Sequence, residues 1–242
     1  MQALLQVQGL NKAYGPSNNQ THAVNELHLA IYQGEFLGLI GESGCGKSTL
    51  ARLLAGLETA DSGQILPLGS SKLSVQMVFQ NPQDSFNPRL TLGTSVAEWL
   101  YNQNLPRQII REQTVEYLQL CGLGVEFVDR YPHEVSGGEC QRAAIARALI
   151  AKTQQLICDE PTSALDVCTQ AQIIDLLRCL KQDQKLSCLF ITHDIALAQQ
   201  LCDRIAVMRD GEVVECGTTE QIINHAASEY TQKLLRIATT MQ

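Results

Sequence analysis

The run Phe36-Leu37-Gly38-Leu39-Ile40, followed at once by Gly41-Glu42-Ser43-Gly44-Cys45-Gly46-Lys47-Ser48-Thr49, leaves few folds open to this chain. Consecutive apolar residues read as a strand buried on both faces, as in a parallel sheet. The residues after it fit G-x-x-x-x-G-K-[ST], a loop whose backbone N–H groups cradle phosphates. Lys47 to Ala55 then reads as a helix closed by Gly56. Strand, glycine loop and helix in that order are the context the motif requires. Several N–H groups must point inward, so glycine is needed where a side chain would block the phosphates. Lys47 is then placed to reach the β- and γ-phosphates of a nucleoside triphosphate and Ser48 to hold Mg2+, while the helix N-terminus adds positive potential.

A second motif, Val135-Ser136-Gly137-Gly138-Glu139-Cys140-Gln141-Arg142, puts a serine and two glycines at the start of a helix running to about Ala151. Ser136 is its expected cap. This is an anion cup with no lysine or metal ligand of its own, suited to a second clamp on a phosphate. A third, Leu156-Ile157-Cys158-Asp159-Glu160, is an apolar strand ending in two carboxylates. There Asp159 can organise magnesium beside the phosphate loop, and Glu160 can polarise an attacking water.

Elsewhere, residues 4–9 and 23–32 alternate as strands around a polar turn from Asn11 to Asn19, and Val75 to Phe79 reads as a buried strand. The prolines and amides of 80–88 read as a loop exposing Phe86, and residues 93–151 look helical. On 107–121, Ile110, Thr114, Tyr117, Leu118 and Cys121 share one face. Strand signals return at 156–158 and 188–191, with a helical stripe of Ile173, Leu176, Leu177 and Leu180 between them, and 204–209 and 212–216 form a hairpin around Asp210-Gly211. Strand and helix in alternation indicate an α/β parallel sheet.

With 242 residues the chain can bury a real core as one domain. Its net charge of −7 argues against a nucleic-acid partner, since phosphate neutralisation needs clustered Lys and Arg. Nine cysteines without a Cys-x-x-Cys pair read as reduced thiols rather than a metal centre. No signal peptide and no apolar run near the roughly 18 residues of a spanning helix is apparent, so a membrane link is expected through a partner. The short stripe Leu234, Leu235 and Ile237 reads as a packed amphipathic end, and His22, His28, His133 and His225 as structural.

The run Asp159-Glu160-Pro161-Thr162-Ser163-Ala164-Leu165-Asp166, with Val135-Ser136-Gly137-Gly138-Glu139, resembles the Walker B, D-loop and signature sequences of the ATP-binding cassette (ABC) ATPases. The resemblance runs in order through Tyr14, the phosphate loop, Gln80, the signature, the acidic pair, Asp166 and His193. It implies an α/β fold over 1–242: a RecA-like parallel-sheet core with the P-loop, an antiparallel β subdomain, and a helical subdomain at roughly 83–152. It also implies a head-to-tail dimer, each ATP lying between one subunit's phosphate loop and the other's Ser136, Gly137, Gly138 and Glu139. By the same resemblance Tyr14 stacks on adenine, Gln80 links magnesium and water to the membrane partner, Asp166 belongs to the D-loop, and His193 senses the γ-phosphate.

Val78-Phe79-Gln80-Asn81-Pro82 with Phe86-Asn87-Pro88-Arg89, Arg130-Tyr131-Pro132-His133-Glu134, and the tail Glu229-Tyr230-Thr231-Gln232-Lys233-Leu234-Leu235 resemble the dipeptide, oligopeptide and nickel importer branch. That branch implies a second ABC ATPase subunit, two transmembrane permease subunits, an extracytoplasmic substrate-binding protein, and a place on the cytoplasmic face of the cell membrane. The short stretch from Gln64 to Gln80, and a tail without the cysteine-bearing extension of some peptide importers, lean toward nickel or metallophore uptake, with peptide uptake the alternative. A non-transport ABC ATPase or a regulatory scaffold is the alternative of another class. Glu139 stands where that signature usually has glutamine, placing a carboxylate near the partner's nucleotide.

Overall fold

The computed structural model describes residues 2–16, 20–68, 73–184 and 186–240. Strands β1 (Ala3–Tyr14) and β2 (Thr21–Tyr32) pair antiparallel, with Tyr14 opposite Thr21. The first strand therefore runs through the polar residues 11–14 read as a turn, because cross-strand pairing outweighs their turn preference. Ser17, Asn18 and Asn19 of that turn lie outside the described residues.

Next come β3 (Phe36–Ile40), α1 (Lys47–Leu54), β4 (Ser62–Pro67) and β5 (Val75–Val78). A helical stretch follows: α2 (Leu92–Val96), α3 (Glu98–Tyr101), α4 (Arg107–Leu120) and α5 (Gly137–Ile150). Ile110, Thr114 and Leu118 are the buried face of α4. Then strand and helix alternate through β6 (Gln155–Asp159), α6 (Val167–Gln184), β7 (Ser187–Ile191), α7 (Ile195–Leu201) and β8 (Arg204–Arg209). The chain closes with β9 (Glu212–Thr218), α8 (Thr219–His225) and α9 (Glu229–Thr240).

Two sheets result: β2-β1-β4, and β5-β6-β7-β3-β8-β9 with β9 alone antiparallel to its neighbour. All of β3 is buried, because both faces of the large sheet are covered. Its side chains alternate between two cores. Leu37 and Leu39 join Leu5, Ile31 and Leu50 beneath the small sheet and α1, while Phe36 and Ile40 join Leu100, Ile145 and Leu177 on the helical side. The order is therefore small sheet, large sheet, helices. Each fully buried leucine of these cores stabilises the fold by roughly 1.5–3 kcal/mol.

Six cysteines (45, 121, 140, 158, 188 and 202) are buried, and all nine are free. No helix among the described residues is long and apolar enough to cross a membrane. Leu234 and Leu235 of α9 pack against the core, whereas Ile237 is exposed.

Phe86 does not stand out from its loop. It is 5% exposed and packs with Val78, Leu92 and Leu100. A single 3-10 turn, Gln83–Ser85, after Pro82 swings the chain inward. The Arg147 guanidinium of α5 then covers the ring at 4.4 Å and donates to the Ser85 carbonyl at 2.6 Å. A lone aromatic among polar residues is here an anchor that pins the loop after β5 to the helices. Phe86→Ala is expected to lower unfolding free energy by about 3 kcal/mol or more, the usual cost of an emptied aromatic site. Urea denaturation checks this, and a change below about 1 kcal/mol would place the ring at the surface.

Candidate functional site

The loop between β3 and α1 is gripped from three sides. Gly46 has φ 105°, and a Cβ there would collide with the Ala23 carbonyl of β2. A Cβ on Gly41 would run into the Met208 carbonyl of β8. The Gly211 N–H of the β8–β9 turn donates to the Cys45 carbonyl at 3.0 Å. From α9, the Tyr230 hydroxyl accepts the Glu42 N–H at 3.3 Å, and Arg209 lies 5.0 Å from the Tyr230 ring. Lys47 is only 6% exposed; its Nζ donates to the carbonyls of Gly41 at 2.9 Å and Glu42 at 2.8 Å. The ammonium thus has partners within the loop that it shapes.

At the start of α1, Ser48 Oγ donates to Asp159 Oδ1 at 3.2 Å. Asp159 ends β6 and is 8% exposed; burial pushes its pKa up, against the opposing bond from Ser48. The next residue, Glu160, has φ 47°, a left-handed conformation rare outside glycine and asparagine. Its N–H donates to the Ile191 carbonyl of β7 at 3.0 Å. The turn brings its carboxylate over the ends of the neighbouring strands. Glu160 Oε2 accepts from Gln80 Nε2 at 3.3 Å and lies 3.4 Å from His193 Nδ1. Ser163 Oγ accepts from Gln80 Nε2 and donates to the Glu160 carbonyl, both at 3.1 Å. Gln80, Glu160 and His193 follow β5, β6 and β7, which are consecutive in the sheet, and the phosphate loop follows β3, next in order. Loops beyond the carboxyl ends of parallel strands are where open α/β sheets bind ligands.

Tyr14, Ser43, Lys47, Ser48, Gln80 and Glu160 line one cleft of about 350 Å³. The Tyr14 ring is 41% exposed, and its hydroxyl bonds to the Glu58 carboxylate. Burial and that carboxylate both raise the phenol pKa. Thr49 also lines the cleft, whereas Cys45 turns its thiol inward, is 8% exposed, and has its pKa raised chiefly by burial.

Ser136, Gly137, Gly138 and Glu139 do not line that cleft. Ser136 caps α5 by accepting from the Glu139 N–H, and Glu139 Oε2 accepts in return from Ser136 N at 2.7 Å and Ser136 Oγ at 2.8 Å. Those bonds, the backbone one first, hold the Glu139 pKa down. Its carboxylate is thus engaged by its own helix start, a part glutamic acid and glutamine both play in capping boxes. Gly138 packs so close to Thr169 of α6 that a Cβ would strike that side chain. Asp166 holds Thr169 in turn, accepting from its N at 3.0 Å and its Oγ1 at 2.7 Å.

Glu58, Ser163 and Tyr230 were not singled out as site residues from sequence. Glu58 and Tyr230 touch the site only through tertiary contacts and sit in no phosphate motif of their own, whereas Ser163 lies within the run Asp159 to Asp166 and meets Gln80 from a neighbouring strand end.

The sequence profile of the ABC transporter family matches residues 24–163. The chain belongs to the ABC transporter family. It is 44% identical over 227 residues to the oligopeptide transport ATP-binding protein OppF of Escherichia coli (strain K12), a match covering 88% of this chain and 68% of OppF. To the probable D,D-dipeptide transport ATP-binding protein DdpF of the same organism it is 42% identical over 224 residues, covering 91% of this chain and 72% of DdpF. Among solved structures, the dimeric ATP-binding cassette MJ0796 bound to ADP and Pi superimposes with a TM-score of 0.79 at 27% identity, covering 89% of this chain and 99% of that one. The cbiO1 subunit from Clostridium perfringens, part of the ABC transporter complex cbiONQ, gives 0.80 at 29% identity, covering 100% and 99%. The architecture is thus the ABC ATPase fold, and the activity of this ABC protein is ATP hydrolysis coupled to transport.

The sequence has no second lysine in the phosphate loop to replace Lys47. Lys47→Ala is expected to weaken ATP binding by about 10²-fold, the loss of two charge-assisted contacts, while far-UV circular dichroism stays unchanged. Equilibrium ATP titration checks this, and an unchanged affinity would remove Lys47 from the site.

Proposed function

We propose that this chain is one of two ATPase subunits that drive a peptide importer, docked on the cytoplasmic face of two membrane permease subunits. The observation that carries the catalytic part is the convergence of Gln80 and His193 on Glu160 Oε2 beside the phosphate loop. In this reading Glu160 is the base that polarises the attacking water, His193 contacts the γ-phosphate, and Gln80 relays the state of the site to the permease. The backbone N–H groups of 41–49 and the Lys47 ammonium hold the phosphates. The Tyr14 ring, exposed in the same cleft, stacks on the adenine.

The donor set beside α1 fits Mg2+. Ser48 and Asp159 supply a hydroxyl and a carboxylate oxygen 3.2 Å apart, and Gln80 adds an amide, matching an ion that is held through one or two carboxylates and completes its shell with phosphate and water. Bound there, Mg2+ neutralises charge on the phosphates.

Ser136, Gly137, Gly138 and Glu139 lie outside this chain's own cleft, which supports a clamp acting in trans on the nucleotide of a second ATPase subunit, with Asp166 beside it. Glu139 then serves by holding the Ser136 cap rather than by facing the partner's phosphate. For the permease, the favoured surface is a groove of about 450 Å³ between the large sheet and the helices, lined by Leu57, Phe79, Trp99, Ala144 and Arg147. Leu57 and Phe79 are 58% and 37% exposed there, and Phe79 directly precedes Gln80. This groove replaces Phe86 as the docking feature. An extracytoplasmic binding protein would deliver cargo through the permease.

For the cargo, the nickel or metallophore reading yields to peptides, because the relatives above are named for oligopeptide and D,D-dipeptide transport. Reconstituted with its permease in vesicles, the complex is expected to take up labelled oligopeptides on ATP addition. Uptake of nickel with no peptide uptake would reverse the cargo assignment. Glu160→Gln is expected to keep ATP binding and to lower single-turnover phosphate release by about 10²-fold or more. Near-normal release by that variant, with the partner's site silenced, would take the base role away from Glu160.

A further inference from the structure

The connection between α1 and β4 grips the end of β1 at successive residues. The Ala13 N–H donates to Asp61 Oδ2 at 2.7 Å. Lys12 Nζ donates to the Thr59 carbonyl at 2.9 Å and lies 3.2 Å from Asp61 Oδ1. The Tyr14 hydroxyl donates to Glu58 Oε2, and the other oxygen of that carboxylate faces Arg52 of α1 at 3.5 Å. Lys12 also sits 5.5 Å from the centre of the Tyr14 ring. An aromatic side chain this exposed would ordinarily sample several rotamers. Here its far end is tied down while the ring lines the phosphate cleft.

We propose that Glu58 is a positioning residue for Tyr14: its carboxylate holds the phenol so that the ring stands ready to stack on a nucleotide base, which favours nucleoside triphosphates over bare polyphosphates. The inference rests on the assignment of Tyr14 as the base platform. Its physical basis is preorganisation: a ring already ordered spares the bound state the cost of ordering it. A phenol–carboxylate bond is charge-assisted and holds direction better than a bond to water. The same helix then serves both ends of the ligand. The N-terminus of α1 meets the phosphates, and the loop at its C-terminus sets the ring, so the spacing between phosphate and base sites follows from one rigid element.

The test compares equilibrium binding of ATP with that of inorganic tripolyphosphate, both with Mg2+. Glu58→Ala and Tyr14→Phe are each expected to weaken ATP binding about three- to tenfold, the range of one such hydrogen bond, with tripolyphosphate changed less than about twofold. The double variant should be no weaker than Tyr14→Phe, since that change already removes the bond to Glu58 along with the hydroxyl's contact to Thr49. Glu58→Gln, which keeps an acceptor oxygen, should recover most of the loss. Equal losses for ATP and tripolyphosphate would mean that Glu58 acts through Arg52 and α1 on the phosphates, and would overturn the proposal. So would unchanged ATP binding in Glu58→Ala, or losses that multiply in the double variant. Tyr14→Ala separates the two assignments. If it weakens ATP selectively while Glu58→Ala does not, only the role of Glu58 falls; if it affects both ligands alike, the stacking role of Tyr14 falls and that of Glu58 with it.

Discussion

The close approach of Gly46 to the Ala23 carbonyl, and of Gly41 to the Met208 carbonyl, governs how the parts of this molecule meet. The phosphate loop is wedged between the small sheet and the β8 end of the large one, with no room for a side chain at either contact. Because backbone meets backbone, the loop has one shape available to it, and α1 leaves it in a set direction. Lys47 completes the wedge. Leaving its ammonium buried and unpaired would cost several kcal/mol, so the two loop carbonyls that accept from it are as necessary to the fold as to any ligand. The cleft, the ends of β5, β6 and β7, and the ring of Tyr14 are all arranged around that fixed point.

Glu160 shows backbone strain placed at the end of β6, beside the cleft. Its left-handed backbone costs about 1–2 kcal/mol for a residue with a side chain. The bond from its N–H to Ile191, and the one its carbonyl takes from Ser163, offset that cost. In return the carboxylate leaves the line of β6 and meets groups that follow β5 and β7. A residue in ordinary extended conformation would continue along its own strand. Asp159, one position earlier, keeps the extended conformation and faces Ser48 instead. Two adjacent carboxylates are thereby sent to different partners by one backbone turn.

Sequence patterns served well wherever a local rule governs. The apolar run of β3 and the cap Ser136 follow from residue type and spacing, as does the hairpin at Asp210-Gly211. They served poorly where an isolated residue could turn either way. Phe86 among amides and prolines is as compatible with a surface knob as with an anchor, and only Arg147, distant in sequence, decides that it is covered. Glu139 read alone is a charge beside a phosphate clamp, but seen with Ser136 it is half of a helix cap. The polar end of β1 looked like a turn because its partners, Thr21 and the loop around Asp61, lie elsewhere in the chain.

By itself the sequence determined the family, the phosphate loop, the acidic pair and the strand–helix alternation, because each depends on contacts between near neighbours and on residue types that few others could replace. Only the tertiary structure decided that Gln80, Glu160 and His193 share one carboxylate oxygen, and that Tyr14 is tied to Glu58. It also decided that Tyr230 reaches the loop from the far end of the chain. Those meetings depend on the order of strands in the sheet and on the packing of α1 and α9. Many sequences satisfy the same local patterns, but the angle at which a side chain crosses to a neighbouring element is set by long-range packing.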